Sequence, residues 1–348
     1  MFCFSLIHLQ PFVHYLFIFN LENKKIVHLK QDINTTSRSF HKDMASITNT
    51  KGSSTSKSSS QPNASIKKRK LTSTACGTEI YWDQAAKDYD REIVDNLDQS
   101  INHCSSSGKT SPLVDAIQAA SNSNITACDF GCGPGRHITL LADNFKDVIG
   151  IDISNALLKL ARKETKMTKD TLSLFHMDLG IKTMTNAQAK KIRNIQSVQP
   201  RFGLCTNVLI MPQKKLWSNI LTNITKVLAS NSTCVFLVPS LESALFCQDR
   251  LQRWDAEAAK TDGITTSNKK SAFNILNGII NRDGVPHKHF LKETFYDVLR
   301  CHGFEPKSAS KVEYDWNSEF DPKELVHAPI EITRGPYPWD WLVVTTVN

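Results

Sequence analysis

A doubly wound, mostly parallel α/β fold is what this sequence predicts, and three observations predict it. Apolar runs near 125–130, 147–151, 172–177, 202–208 and 233–238 alternate with helical patterns at 136–145, 154–164, about 186–194 and 214–229. Alternation of this kind builds βαβ units with right-handed crossovers. The runs are almost continuously apolar, as strands become when both faces of a parallel sheet are covered. The first run, from Ile125, carries Asp129 near its end, then Gly131, Gly133 and Gly135 on alternate positions, then a helix-compatible stretch from His137. Strand, tight glycine turn and helix start bring backbone N–H groups close to a ligand, because glycine has no Cβ and tolerates positive φ.

The flanking segments follow in order. Tyr81 to Asp90 places Tyr81, Ala85 and Asp88 or Tyr89 on one helical face, a helix ahead of the core. Residues 99–110 read as a polar Ser/Asn/Gly linker. Pro112 opens a helix to Ala120, proline being harmless in a first turn. After Pro239 the pattern changes. Leu241 to Lys260 is amphipathic, 261–271 is a polar loop, and Asp283-Gly284 between β-type residues signals a hairpin. Phe290 to Cys301 is helical with Gly303 near its C-cap. Residues 309–316 and Trp341 to Val347 read as strands, joined by the aromatic loop Gly335 to Asp340.

The net charge of +8 belongs to residues 1–75, which hold 11 Lys/Arg and 3 Asp/Glu; the rest is balanced at 31 of each. The folded part therefore gives no nucleic-acid signal by net charge. Nine scattered cysteines, an odd number with no CxxC pair and no zinc spacing, imply reduced thiols, a cytoplasmic or nuclear location and no metal site. Residues 1–20 are strongly apolar, and three readings stay open: an extension or mis-assigned start upstream of Met44, a membrane anchor, or a signal peptide. Residues 45–75 are too polar to bury a core and are expected to be disordered. Within them Lys67, Lys68, Arg69 and Lys70 form a basic run that reads as nuclear import or as a solvated tail. The expected organisation is an extension over 1–75 and one folded domain over 76–348.

The spacing Asp129-x-Gly131-x-Gly133-x-Gly135 is not the dinucleotide GxGxxG, since Arg136 stands where the last glycine would be. With the βα alternation it resembles the class I S-adenosylmethionine-dependent methyltransferases, over about residues 78–239. The resemblance implies a seven-stranded sheet with an antiparallel C-terminal strand, a helical N-terminal cap, and a lid insertion after the fifth strand, here about 240–302. It implies S-adenosyl-L-methionine as cofactor, its methionine half cradled by the loop with Asp129, Gly131, Cys132, Gly133 and Gly135. Asp152 ends the second strand 19 residues after Gly133. As residues alone it is either a ribose acceptor or an N-cap for the next helix; the resemblance assigns it to the ribose, and Ile153 after it to the cofactor site. Asp178 would meet the adenine amino group and Met177 pack on the ring. Asn207, at the end of the fourth strand, would line the site, and Cys205 and Thr206 belong to the core. The Asn/Asp-Pro-Pro-aromatic motif of exocyclic-amine methylases is missing between Phe202 and Pro212, which counts against adenine or glutamine methylation.

Trp82, Tyr89, His287 and His289 are the substrate-side candidates, and Tyr314 is expected to face the same pocket. No catalytic acid–base pair stands out, and in-line displacement of a neutral leaving group requires positioning before it requires a base. The expected function is methyl transfer to an O, N or C nucleophile, more readily of a small molecule than of protein or RNA. A non-catalytic, cofactor-binding partner subunit is the alternative, and a nicotinamide-dependent dehydrogenase is disfavoured by the glycine spacing.

Overall fold

The computed structural model describes residues 76–348 except 88, 90–95, 106–107, 166–170, 263–272, 283–284 and 320–328. The expectations for residues 1–75, including the basic run and the apolar start, lie outside the described residues, as does the Asp283-Gly284 turn itself.

Seven strands form one sheet in the order β3-β2-β1-β4-β5-β10-β9. They are β1 (Asn122–Phe130), β2 (Phe145–Asp152), β3 (Leu172–His176), β4 (Phe202–Thr206), β5 (Thr233–Pro239), β9 (Phe304–Glu313) and β10 (Trp339–Val347). The first five are parallel neighbours, and β10 runs antiparallel to both β5 and β9. The mostly parallel sheet with an antiparallel C-terminal strand is thus borne out.

The helices α1 (Glu79–Ala85) and α2 (Asn96–Ser105) precede the core. They are followed by α3 (Pro112–Ala119), α4 (Ile138–Asn144), α5 (Asn155–Glu164), α6 (Asn186–Ser197), α7 (Lys214–Val227), α8 (Leu241–Asp262), α9 (Lys292–Arg300) and α10 (Glu331–Arg334). Period-two alternation divides the strands between two cores. Cys234, Phe236 and Val238 of β5 join Ile192, Ile195, Ile220, Leu221, Phe295 and Leu299 from α6, α7 and α9 on one face. Val235 and Leu237 join Leu113, Ile117, Ile138, Leu141 and Leu158 from α3, α4 and α5 on the other. Both faces are covered, which is why the strand runs are apolar throughout.

Two elements differ from the sequence expectation. The polar stretch taken as a linker begins inside α2, where Leu97, Ser100 and Cys104 are buried at helical spacing and Ser100 Oγ meets Ser111 Oγ at 2.7 Å. A few buried positions outweigh the polar composition of the exposed face. Strand β9 starts at Phe304, five residues before the expected start, because Phe304, Pro306 and Val312 are its buried positions while Lys307, Ser308, Ser310 and Lys311 between them are exposed.

Between β5 and β9 the chain adds α8 and a second sheet, β6 (Phe273–Asn274), β7 (Ile279–Arg282) and β8 (Val285–Lys288), before α9. The β7–β8 hairpin pairs Ile280 with His287. Lys288 N donates to Ile210 O at 2.7 Å, fixing this small sheet beside the segment after β4.

Candidate functional site

The glycine turn is built by its backbone. Gly131 and Cys132 N–H both donate to Ile151 O, at 2.7 and 3.0 Å, pulling the turn onto the end of β2. Gly131 has φ +75°, and a Cβ there would lie 2.3 Å from Val208 Cγ2, so both the dihedral and the space require glycine. Gly133 has φ +53°, and a Cβ there would meet the Tyr89 hydroxyl at 3.2 Å. Tyr89 therefore stands over the turn. Gly135 packs against Ala161 and Thr165 at the end of α5. Cys132 is buried beneath, its thiol pushed far up by burial, so it is packing rather than a nucleophile.

Two carboxylates meet the turn. Asp152 accepts from Gly133 N at 2.8 Å through Oδ2 and from Ser154 N at 2.7 Å through Oδ1. Burial raises its pKa to about 6, the backbone donors opposing that rise. The N-cap of α5 is Ser154, whose side chain accepts from Leu157 N. Asp129 is fully buried, and neither oxygen has a hydrogen-bond partner among the described residues. Burial, with the nearby Asp152 charge, lifts its pKa to about 8. A buried carboxyl without a donor is costly and calls for a cation or donor from outside.

The β3 end supplies a third acid. Met177 N donates to Asp152 O at 2.8 Å, and the Met177 side chain is buried in the core. Asp178, half-buried, accepts from Gly180 N at 2.7 Å, and burial raises its pKa. Ile153 O meets His176 Nε2 at 2.9 Å. Asn207 sits at the end of β4 with φ +54°, its N–H on Leu237 O at 2.9 Å. The cofactor-side candidates thus gather along the carboxyl ends of β1 to β4, where open α/β sheets place their ligands.

The substrate-side candidates are more dispersed. Trp82 is half-buried with its indole N–H on Cys76 O at 2.8 Å. Cys76 Sγ in turn reaches Pro286 O and Ile210 O, so the cap touches the small sheet that bears His287. His289 is buried, with its backbone N–H on Gly278 O and Nδ1 at 3.3 Å from His287 O. Tyr314 lies in the opposite core, its hydroxyl on Asp340.

Three devices escaped the sequence reading. Asp83 of α1 accepts from Ser154 Oγ at 2.5 Å and Ala156 N at 3.1 Å, and these contacts hold its carboxyl below the usual range. Glu79, one turn earlier, meets His176 at 3.0 Å, so one face of the cap helix grips the ends of β2 and β3. Asn219 and Asn223 of α7 donate to three successive carbonyls, Leu179, Gly180 and Ile181, at 2.7–3.0 Å. They brace the loop after Asp178. A buried Asn223 on the apolar face of a helix was the available sign.

A family model described as a methyltransferase domain matches residues 121–300, more than half of the chain. The chain belongs to this class I methyltransferase family. No curated protein matches the methyltransferase by sequence. Among solved structures it is similar to a methyltransferase of Anabaena variabilis ATCC 29413, at 16% identity over 78% of this chain and 93% of that one, with TM-score 0.47. Magnesium protoporphyrin IX methyltransferase of Synechocystis PCC 6803, with bound SAH, shares 13% over 78% and 97%, TM-score 0.45. The N-methyltransferase NodS of Bradyrhizobium japonicum WM9, in complex with SAH, shares 12% over 78% and 98%, TM-score 0.45. Likenesses this distant carry neither substrate nor residue roles to this methyltransferase. Among its described residues no His, Cys, Asp and Glu group is arranged to hold a metal, and no helix is long and apolar enough to cross a membrane.

Proposed function

We propose that the protein is an S-adenosylmethionine-dependent methyltransferase acting on a small molecule. The observation that carries this is the buried Asp129 carboxyl, without a partner among the described residues, at the carboxyl end of β1 where the glycine turn begins. The ammonium of an amino-acid-bearing cofactor is its chemical complement. Bound there, S-adenosylmethionine supplies an electrophilic methyl group on a leaving group that departs neutral. The remaining work belongs to the chain. Asp129 balances the ammonium, with Gly131, Cys132, Gly133 and Gly135 shaping the turn around it. Asp152 receives the ribose, with Ile153 beside it in the cofactor site; Asp178 meets the adenine amino group with Met177 against the ring, and Asn207 lines the site at the end of β4. Trp82, Tyr89, His287 and His289, from the cap and the insertion at 240–302, form the acceptor side and exclude water.

A small acceptor is supported by the aromatic cap and by the added α8 and three-stranded sheet on that side. Seven of the eight described cysteines are buried and all eight are unbridged, which supports a reducing, cytoplasmic setting. Import to the nucleus through Lys67–Lys70 stays a proposal on residues 1–75.

Isothermal titration of the full chain with S-adenosylmethionine tests the first half; no heat at millimolar cofactor overturns it. Transfer of labelled methyl into a fractionated cell extract tests the second. Label in the metabolite fraction supports a small acceptor, label in protein or RNA overturns it, and tight binding without transfer favours the non-catalytic subunit.

A further inference from the structure

The zero net charge of residues 76–348 hides a segregation. From Leu179 to Leu241, 63 residues, there are eight Lys/Arg and no Asp or Glu, so the rest of the folded part carries 23 basic against 31 acidic residues. The acid-free span builds α6 and α7, which pack side by side; Gln196 Nε2 donates to Lys226 O at 2.6 Å where they meet. Lys190 and Arg193 are exposed on α6, and Lys214, Lys215 and Lys226 on α7. Lys182 is exposed on the loop braced by Asn223, and Arg201 just before β4. None of these seven is in an ion pair among the described residues. A cavity of about 490 Å³ opens between the helices, with Arg201, Lys226, Gln196, Gln199 and Asn231 at its wall. It lies at the amino ends of β4 and β5, the opposite end of the sheet from the glycine turn.

We propose that the α6–α7 face docks the phosphate backbone of a nucleic-acid duplex, with one phosphate in the Arg201–Lys226 cavity. The exposed groups between the cations are amides and hydroxyls, such as Asn186, Gln196, Ser197 and Thr222. Cations with neutral donors are the set that contacts phosphate and sugar. A protein interface would present aromatic or Met anchors, and a membrane face would present apolar side chains; the one large exposed apolar residue of this span is Val198. Exposed rings for stacking single-stranded bases are also missing from the described residues here. The helices, 12 and 14 residues long, span about 18 and 21 Å at roughly 1.5 Å per residue. The inference is independent of the cofactor reading, since its readout is duplex binding.

The test is fluorescence anisotropy of the full chain with labelled mixed-sequence duplexes of RNA and of DNA, across a potassium chloride series. A background with Lys67, Lys68, Arg69 and Lys70 changed to Ser removes the basic tail. In that background Lys190→Gln, Arg193→Gln, Arg201→Gln and Lys226→Gln together should weaken binding at least tenfold at low salt. The log–log salt slope should become shallower by about four, roughly one per cation. Lys182→Gln, Lys214→Gln and Lys215→Gln, at exposed positions, should give a smaller loss of the same kind, with unchanged melting temperature checked for both sets. The RNA and DNA arms identify which duplex is preferred. Unchanged binding in both sets, or tighter binding to phosphatidylserine vesicles or an acidic peptide than to either duplex, overturns the proposal.

Discussion

Asp129 holds its proton near neutral pH because burial leaves its charge without a donor, and that sets a direction for stability. Its folded-state value of about 8 lies above the ordinary carboxylate value of roughly 3.9, so the folded protein keeps a proton that the unfolded chain has released. Stability must therefore fall as pH rises between about 4 and 8. Asp152, at about 6, shares the lower part of that window. Urea melts of Asp129→Asn should be flat between pH 6 and 8, where the parent loses stability. A cationic cofactor selects the ionised form, so its binding near pH 7 should release up to one proton. Titration enthalpies that depend on buffer ionisation for the parent, and not for Asp129→Asn, are the expected outcome. Asp152→Ala should weaken cofactor binding about 10- to 100-fold, the loss of charge-assisted hydrogen bonds of about 1.5–3 kcal/mol. Gly131→Ala should destabilise by about 1–3 kcal/mol from its positive φ alone, and adding Val208→Ala should recover only the steric part, read by thermal melting.

Single elements show what the sequence made legible. The run Cys234 to Val238 could be read because every position is buried on one face or the other, leaving nothing for composition to disguise. The turn at Gly131 to Gly135 is local in the chain, and Asp152 reaches Gly133 N because the parallel pairing of β1 and β2 brings their carboxyl ends together. The helix α2 could not be read, since Leu97, Ser100 and Cys104 are buried only by partners distant in sequence. The same holds for Asp83, which accepts from Ala156 N in the first turn of a helix that starts 72 residues later. Asn219 and Asn223 acquire their role only when α7 packs against the loop after β3. Replacing Asn223 by Leu would leave Leu179 O and Ile181 O without their donor and should cost about 1–3 kcal/mol. Its effect on cofactor affinity should shrink for an analogue lacking the adenine amino group, which titration of both ligands measures.

At the level of the whole molecule, the family likeness and the charge map concern different surfaces. The carboxyl ends of β1 to β4 gather the cofactor candidates, while α6 and α7 gather cations along one flank. A ligand that binds only the folded state adds about 2.7 kcal/mol at one hundred times its dissociation constant. For a domain of this size that is a rise of about 5 °C in melting temperature, and thermal shift with saturating S-adenosylmethionine should show it. The same shift with Asp152→Ala should require correspondingly more cofactor.

The placement of β10 has a consequence for how the protein is made. Of the seven strands it is the last to be synthesised, yet it lies inside the sheet between β5 and β9. Until it emerges from the ribosome, β5 exposes an open hydrogen-bonding edge and β9 has no neighbour. Open edges of this kind invite pairing with other chains. The nascent protein therefore passes through an interval in which most of its core exists but two edges await one segment, and holding chaperones would act in that interval.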